Sequence, residues 1–321
     1  MKARHAKRFS QNHGSEGHGR LSYWRKQLVR HKFVYLVGVV LPVLLFALFV
    51  GYPIVETVRL SFFRWDEIGT RMMWIGTQNY GVLLRDANFY LALANTAKWT
   101  GLTLLLPVLF GFLMAVFLTG GRAYLSGVIR SLFFFPMTMS LITIGIMFSL
   151  ILNPVFGAFN STVRAIGLGF LAHDWLGDPH SALYALILVF SWSYFGLPLT
   201  MFIAGINQIP AEFFEAAKLE GTRFLQTLLH VTMPMIRPVF TIVVVLSVVQ
   251  SVRAFDLIFA MTRGGPFGQT TVLGYYMYTE AFLAYRYGYG ASISVTLLVI
   301  SSLFAIVYLR TIARGSLHAS S

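Results

Sequence analysis

Six apolar runs constrain this chain more than any other feature. They fall at 33–52, 96–119, 131–152, 182–205, 239–261 and 290–312, and none holds more than two charged residues. Each is near or above the roughly 20 residues that a bilayer-crossing helix needs. Lipid offers no hydrogen bonds, so each run must satisfy its own backbone N–H and C=O groups and is expected to be helical. Composition agrees: 12% of the 321 residues are charged, about half the share in an average soluble domain. The expected fold is an all-α integral membrane protein with about six transmembrane helices.

Charge sets the orientation. The formal net charge of +13 invites a nucleic-acid reading, but nine of the 25 basic residues precede Phe33 and many of the rest flank apolar runs. That distribution orients a membrane protein, and no nucleic-acid partner is expected. With the N-terminus in the cytoplasm, 16 basic residues fall inside and 7 outside, which supports an N-in, C-in arrangement. The expected organisation is a basic cytoplasmic tail at 1–32, a six-span body at 33–312 and a cytoplasmic tail at 313–321. Outer loops fall at 53–95 and 262–289, and a cytoplasmic loop at 206–238. The charged part of the first 32 residues is too long for a signal peptide and no small-residue cleavage site follows, so the first run is read as retained.

With no cysteine in the chain, disulfides and thiolate metal sites are excluded. His5, His13 and His18 lack a second ligand cluster, so they are read as part of a solvated tail; no metal and no cofactor are expected. Trp65, Trp74, Asn79 and Tyr80 in the first outer loop fit either an interfacial aromatic belt or a docking surface. Pro42, Pro107, Pro136 and Pro198 lie inside runs. Tyr194-Phe195-Gly196-Leu197-Pro198 is the most suggestive, as either a packing kink or a bend near a cavity.

The loop at 206–238 has its own logic. Pro210 suits a first helical turn, and Glu212 complements the helix dipole. Glu215 and Lys218 lie three apart and can pair on one face. Ala216 and Ala217 favour helix without bulk, and Gly221 is placed to end the helix in a left-handed conformation. A second amphipathic stretch, 222–231, is broken at Met233-Pro234, and Arg237-Pro238 leads into the fifth run. Two readings stand: a hairpin lying on lipid through Phe213, Phe214, Phe224 and Leu228, or a device gripped by a partner.

Glu215-Ala216-Ala217, Gly221 and Met233-Pro234 resemble the EAA loop of permease subunits in binding-protein-dependent ABC importers. Phe255-Asp256-Leu257-Ile258, Met261-Thr262-Arg263-Gly264-Gly265-Pro266, Tyr276-Met277-Tyr278 and Ala281-Phe282 look like the end of the fifth span and the outer loop of the carbohydrate-uptake branch, the maltose and glycerol-3-phosphate type. The resemblance covers roughly residues 33 to 312 and implies the type I ABC importer permease fold. It implies that Glu215, Ala216, Ala217 and Gly221 form a coupling helix seated on a dimer of cytoplasmic ATPase subunits. It further implies a second permease subunit, usually a different homologue, an extracytoplasmic solute-binding protein, a sugar or related polyol as cargo, and a multi-pass location in a prokaryotic inner membrane. The chain has no G-x-x-x-x-G-K-[ST] loop for phosphates, so ATP must bind elsewhere. The permease itself is then not an enzyme.

Charges inside spans mark cavities. Arg253 and Asp256, three apart in the fifth run, are read either as a polar cavity wall or as a self-neutralising pair. Sugar sites combine hydrogen-bonding side chains with aromatic platforms, so Trp192, Tyr194, Gln250 and Phe255 are pathway candidates, with Ser294 a weaker one. An ion-coupled secondary transporter is the alternative; it predicts isolated intramembrane carboxylates, and only Asp256 lies well within a run. A membrane enzyme would show clustered His and carboxylates. His173, Asp174, Asp178 and His180 cluster this way, but beside turn residues Gly177 and Pro179.

Overall fold

The computed structural model describes residues 36–66, 71–120, 123–251 and 254–317. The basic tail at 1–32, the last four residues of the C-terminal tail and Arg253 lie outside the described residues. Two compact units divide at Arg59. The first holds most of one apolar helix, α1 (Val37–Leu60). It runs past Tyr52 as one helical stretch, so the expected outer loop begins later than the apolar run suggested.

The second unit begins with a two-stranded antiparallel pair, β1 (Phe63–Arg64) and β2 (Met73–Trp74). A short helix, α2 (Gln78–Leu83), follows. Helix α3 (Ala87–Thr119) has 33 residues and at 1.5 Å per residue is about 50 Å long. It therefore outlasts the roughly 30 Å hydrocarbon core and starts well before position 96. Its first turn is capped by Asp86, whose side chain accepts from the Asn88 N–H at 2.9 Å. Pro107 is buried inside it without ending it.

The third run is not one rod. Helix α4 (Ala123–Phe134) passes into a 3-10 turn, Phe135–Thr138, and then α5 (Leu141–Ile151) departs at 102°. Pro136 is the second residue of the turn and cannot donate the N–H that would continue α4. Met139 and Ser140 are then extended, with ψ of 151° and 136°. Helix α6 (Ala158–Ala165) follows. The fourth run divides into α7 (Ala182–Tyr194) and α8 (Gly196–Asn207), bent by 43°. The bend falls on the Tyr194–Pro198 segment. Gly196 is required there: a Cβ would sit 2.3 Å from the Phe133 carbonyl oxygen.

The loop at 206–238 forms α9 (Ala211–Leu219) and α10 (Phe224–Met235). Helix α11 (Arg237–Ser251) then turns by 71°, and α12 (Ala254–Met261) completes the fifth run. Helices α13 (Leu273–Tyr278) and α14 (Tyr287–Leu317) finish the chain.

Three clusters hold the second unit together. One centres on Trp99, Leu186, Phe190, Leu257 and Ile258; a second on Phe112, Leu199, Phe202, Ile236 and Val243; a third on Phe89, Leu273, Tyr276 and Ile293. Lipid tails are as apolar as these side chains, so close packing and interhelical hydrogen bonds drive the association. Asn95 shows the second term. Its Nδ2 donates to the Gln269 and Thr271 carbonyls, both at 3.0 Å, and pins the loop after α12 onto α3.

Candidate functional site

Helix α9 is built as its sequence suggests, with one shift. Pro210 is the N-cap, at φ −58° and ψ 138°, and the helix starts one residue later. Its far end closes through two backbone bonds: the Gly221 N–H donates to Lys218 O and the Thr222 N–H to Ala217 O, both at 3.1 Å. This is the Schellman pattern, and it needs a left-handed residue between the two; Gly221 supplies φ +69°. The Thr222 hydroxyl also donates to Ala217 O at 2.8 Å. The Arg223 N–H donates to Gln226 Oε1 at 2.7 Å and starts α10.

The two alanines face different ways. Ala217 is buried at 6% exposure, whereas Glu215, Ala216, Leu219 and Glu220 are exposed. Phe214 and Leu228 pack onto the Phe112–Phe202 cluster, so the chain's own body takes one face of the hairpin. The Glu215–Lys218 pair that the spacing allowed is not among the ion pairs of the described residues, which are Glu56–Arg59, His173–Asp178 and Glu280–Arg286. The outward face thus carries a free carboxylate, a small residue and Leu219, which is 90% exposed. Phe213, Phe224 and Leu225 are exposed as well. A cavity of about 660 Å³ lies beneath the hairpin, between Phe214, Thr222 and the end of α3 at Val116 and Thr119.

Within the spans, a cavity of about 260 Å³ is lined by Tyr194, Gln250 and Asp256, three of the pathway candidates. The break in the third run supplies much of the rest of its wall, through Pro136, Met137, Met139 and Ser140. Among the described residues, Leu141, Ile144, Phe190 and Ser193 complete it. The Tyr194 hydroxyl accepts from Ser247 Oγ at 3.4 Å. Ser140, at the N-cap of α5, makes no side-chain cap bond, and Asp256 has no ion-pair or hydrogen-bond partner among the described residues.

The other candidates lie elsewhere. Trp192 packs edge-on against Phe148 at 5.2 Å and lines an apolar groove with Pro107 and Phe117. Phe255 belongs to an aromatic stack with Phe259 at 5.6 Å and Tyr278 at 5.2 Å. Ser294 spends its hydroxyl on Gly290 O, one turn back in α14.

The His173 cluster is turn chemistry. His173 Nε2 lies 2.7 Å from Asp178 Oδ2, Asp178 Oδ1 accepts the His180 N–H, and Asp174 Oδ1 accepts the Gly177 N–H. The His180 and His173 bonds hold the Asp178 carboxyl below its ordinary range. Among the described residues no group of His and carboxylates has metal-binding geometry.

Sequence reasoning missed the cluster around Asp86. Tyr289 donates its hydroxyl to Asp86 Oδ2 at 2.5 Å, and Tyr276 donates to the same oxygen. Glu280 pairs with Arg286, whose guanidinium lies 5.2 Å over the Tyr289 ring. The helix-start signal of an Asp before a long apolar pattern was present at Asp86. Its tyrosine donors, 190 and 203 residues away, left no local mark.

Residues 107–314 match the family described as "Binding-protein-dependent transport system inner membrane component". The probable ABC transporter permease protein YurN of Bacillus subtilis is 32% identical over 85% of this chain and 94% of its own length. The multiple sugar-binding transport system permease protein MsmF of Streptococcus mutans is 30% identical over 84% of this chain and 92% of its own length. Among solved structures, a chain of a bacterial ABC transporter involved in the import of the acidic polysaccharide alginate superposes with TM-score 0.78. It covers 90% of this chain and 98% of that one, at 20% sequence identity, a likeness of fold.

Proposed function

We propose, from the premise that this chain belongs to the sugar-permease branch of the binding-protein-dependent transport system inner membrane components, that it works as one membrane subunit of an ATP-driven importer. Its partners are a dimer of ATPase subunits, a second permease and an extracytoplasmic binding protein that hands over a sugar. ATP closes the ATPase pair, the pull reaches the spans through α9, and the helices rock from inward-facing to outward-facing. The sugar enters the cavity at Tyr194, Gln250 and Asp256, and hydrolysis resets the pair. Such a cycle needs two discrete arrangements biased by ligand. The jointed third, fourth and fifth runs suit it better than straight rods would.

The observation that carries the reading is the split face of α9. One side is fixed to the body by Ala217 and Phe214, while Glu215 and Ala216 are free to enter another surface. A hairpin lying on lipid would account for the exposed Phe213, Leu219 and Phe224, but gives no reason for the exposed carboxylate of Glu215 beside Ala216. Ala216→Trp tests it. The variant is expected to insert and fold normally, yet to lose ATPase recovery on purification and sugar uptake in cells. Normal uptake with this variant would refute the coupling role.

A further inference from the structure

We propose that the cavity beneath the α9–α10 hairpin binds the phosphoglycerol headgroup of an anionic phospholipid from the cytoplasmic leaflet, and that this lipid braces α9 against α3. That the brace bears on coupling rests on the reading of α9 as the coupling helix; the binding itself does not.

The cavity, about 660 Å³, lies between the end of α3 at Val116 and Thr119, the end of α8 at Asn207 and both helices of the hairpin. Lys218 is the one charged residue among its described liners. It lies four positions after Phe214, on the same face of α9, and its ammonium has no ion pair or hydrogen bond among the described residues. The hairpin's three carboxylates, Glu212, Glu215 and Glu220, are exposed and do not line the cavity. Arg122, two residues past the liner Gly120, lies outside the described residues, and a cation there has the same sign as Lys218. A lysine ammonium offers three donors and binds phosphate as a point charge.

The neutral liners select what else the ligand carries. Thr119 donates its hydroxyl to Ala115 O at 2.9 Å, and Thr222 to Ala217 O at 2.8 Å. Their oxygens are left to accept, which suits the hydroxyls of a glycerol. Val116, Ile206 and Phe214 line the same space. Beside Val116 on α3, Leu113 and Phe117 are apolar and about half exposed. A free phosphate ester has no use for that apolar wall, whereas an acyl chain does. In the N-in, C-in arrangement this end of α3 meets the cytoplasmic leaflet, where anionic lipids attract cations close to the membrane. An occupant touches α9 at Phe214 and Lys218 and α3 at Val116 and Thr119, at the joint through which a pull on α9 reaches the spans.

The test uses the importer purified with its subunits, or the full-length chain where none accompany it. Native mass spectrometry counts phosphatidylglycerol retained against phosphatidylcholine supplied in equal amount. Wild type is expected to prefer phosphatidylglycerol, Lys218→Met to hold it about fivefold more weakly, and Lys218→Arg to match wild type. No preference over phosphatidylcholine, or a preference untouched by Lys218→Met, would leave the cavity to water and overturn the site. Where Lys218→Met fails to insert, Thr119→Val decides: it should weaken retention of phosphatidylglycerol and spare that of phosphatidate, and equal retention of both would overturn the headgroup assignment. Glycerophosphoglycerol, the same headgroup without tails, should not displace the lipid at matching concentration; equal displacement would put a soluble phosphate ester in place of the lipid. In nanodiscs, sugar-stimulated ATPase activity should rise with phosphatidylglycerol in wild type and not in Lys218→Met. Retention that depends on Lys218 beside a rate indifferent to the lipid would keep the site and remove its link to coupling. Failure to recover any ATPase with the chain would count against the importer reading, while lipid retention still decides the site.

Discussion

Trp99 on α3 donates its indole N–H to the main-chain carbonyl of Ser251 at 3.0 Å, across 152 residues of sequence. Both residues are buried, at 1% and 2% exposure. The bond ties α3, the longest of the described helices, to the end of α11, five residues before the cavity's Asp256. Trp99 also packs against Phe190 at 5.3 Å, so one side chain joins the second, fourth and fifth runs.

Trp99→Phe keeps most of the packing and removes the donor. Interhelical hydrogen bonds in membranes average about 0.6 kcal/mol, whereas a buried carbonyl left unpaired costs about 1–3 kcal/mol. The expected loss is about 1 kcal/mol, read as a lower unfolding midpoint in detergent. Unchanged melting would mean that the bond carries no net stability.

Gly221 separates backbone strain from packing. Nothing lies within 4 Å of a Cβ built there, so any penalty comes from its φ of +69°. Left-handed geometry costs an ordinary L-residue about 1–2 kcal/mol, while Asn tolerates it. Gly221→Asn is expected to retain sugar-stimulated ATPase activity, and Gly221→Val to lose most of it while still inserting. Equal activity in both variants would show that the turn is dispensable.

Asn95 fixes the loop after α12 through two carbonyls. Asn95→Leu removes both donors at once. Hydrogen exchange across 262–273 should rise well above wild type, with α9 unaffected because it lies outside this contact. Unchanged protection of the loop would contradict the pinning.

Asp86 predicts an acid limit for the cluster it holds together. Partial burial raises its pKa, but hydrogen bonds from Tyr276, Tyr289 and the Asn88 and Phe89 N–H groups outweigh that and leave it below the ordinary value. A depressed carboxylate pKa stabilises the fold above the unfolded value, about 3.9, and that stabilisation is lost as pH falls through the folded one. The gap in melting temperature between wild type and Asp86→Asn should be constant from pH 5 to pH 8 and close below about pH 4. A gap that does not depend on pH would place the effect in packing alone.

Much of this was legible along the chain because its causes are local. Apolar length marked the runs, and Gly221 marked the end of α9, since both act within a turn or two of helix. The breaks were half legible: Pro136 signalled a joint, but a 102° departure depends on what α5 packs against. The cavity was legible only in part, because helix faces depend on tertiary rotation. Tyr194 and Gln250 turn inward, while Trp192, two residues from Tyr194, lies in a separate apolar groove. Asp86, Asn95 and Trp99 were out of reach, since their partners stand more than 150 positions away.

The central claim is that α9 presents Glu215 and Ala216 to an ATPase on the cytoplasmic side while Ala217 faces the chain's own body. The natural chain contains no cysteine, so single-cysteine variants give a clean readout. Ala216→Cys, expressed with the ATPase subunits and treated with a short bifunctional thiol cross-linker, is expected to yield a permease–ATPase adduct whose amount changes with nucleotide. Ala217→Cys should yield little. Labelling of Ala216→Cys by a membrane-impermeant reagent added outside intact cells, with no ATPase adduct, would contradict the account.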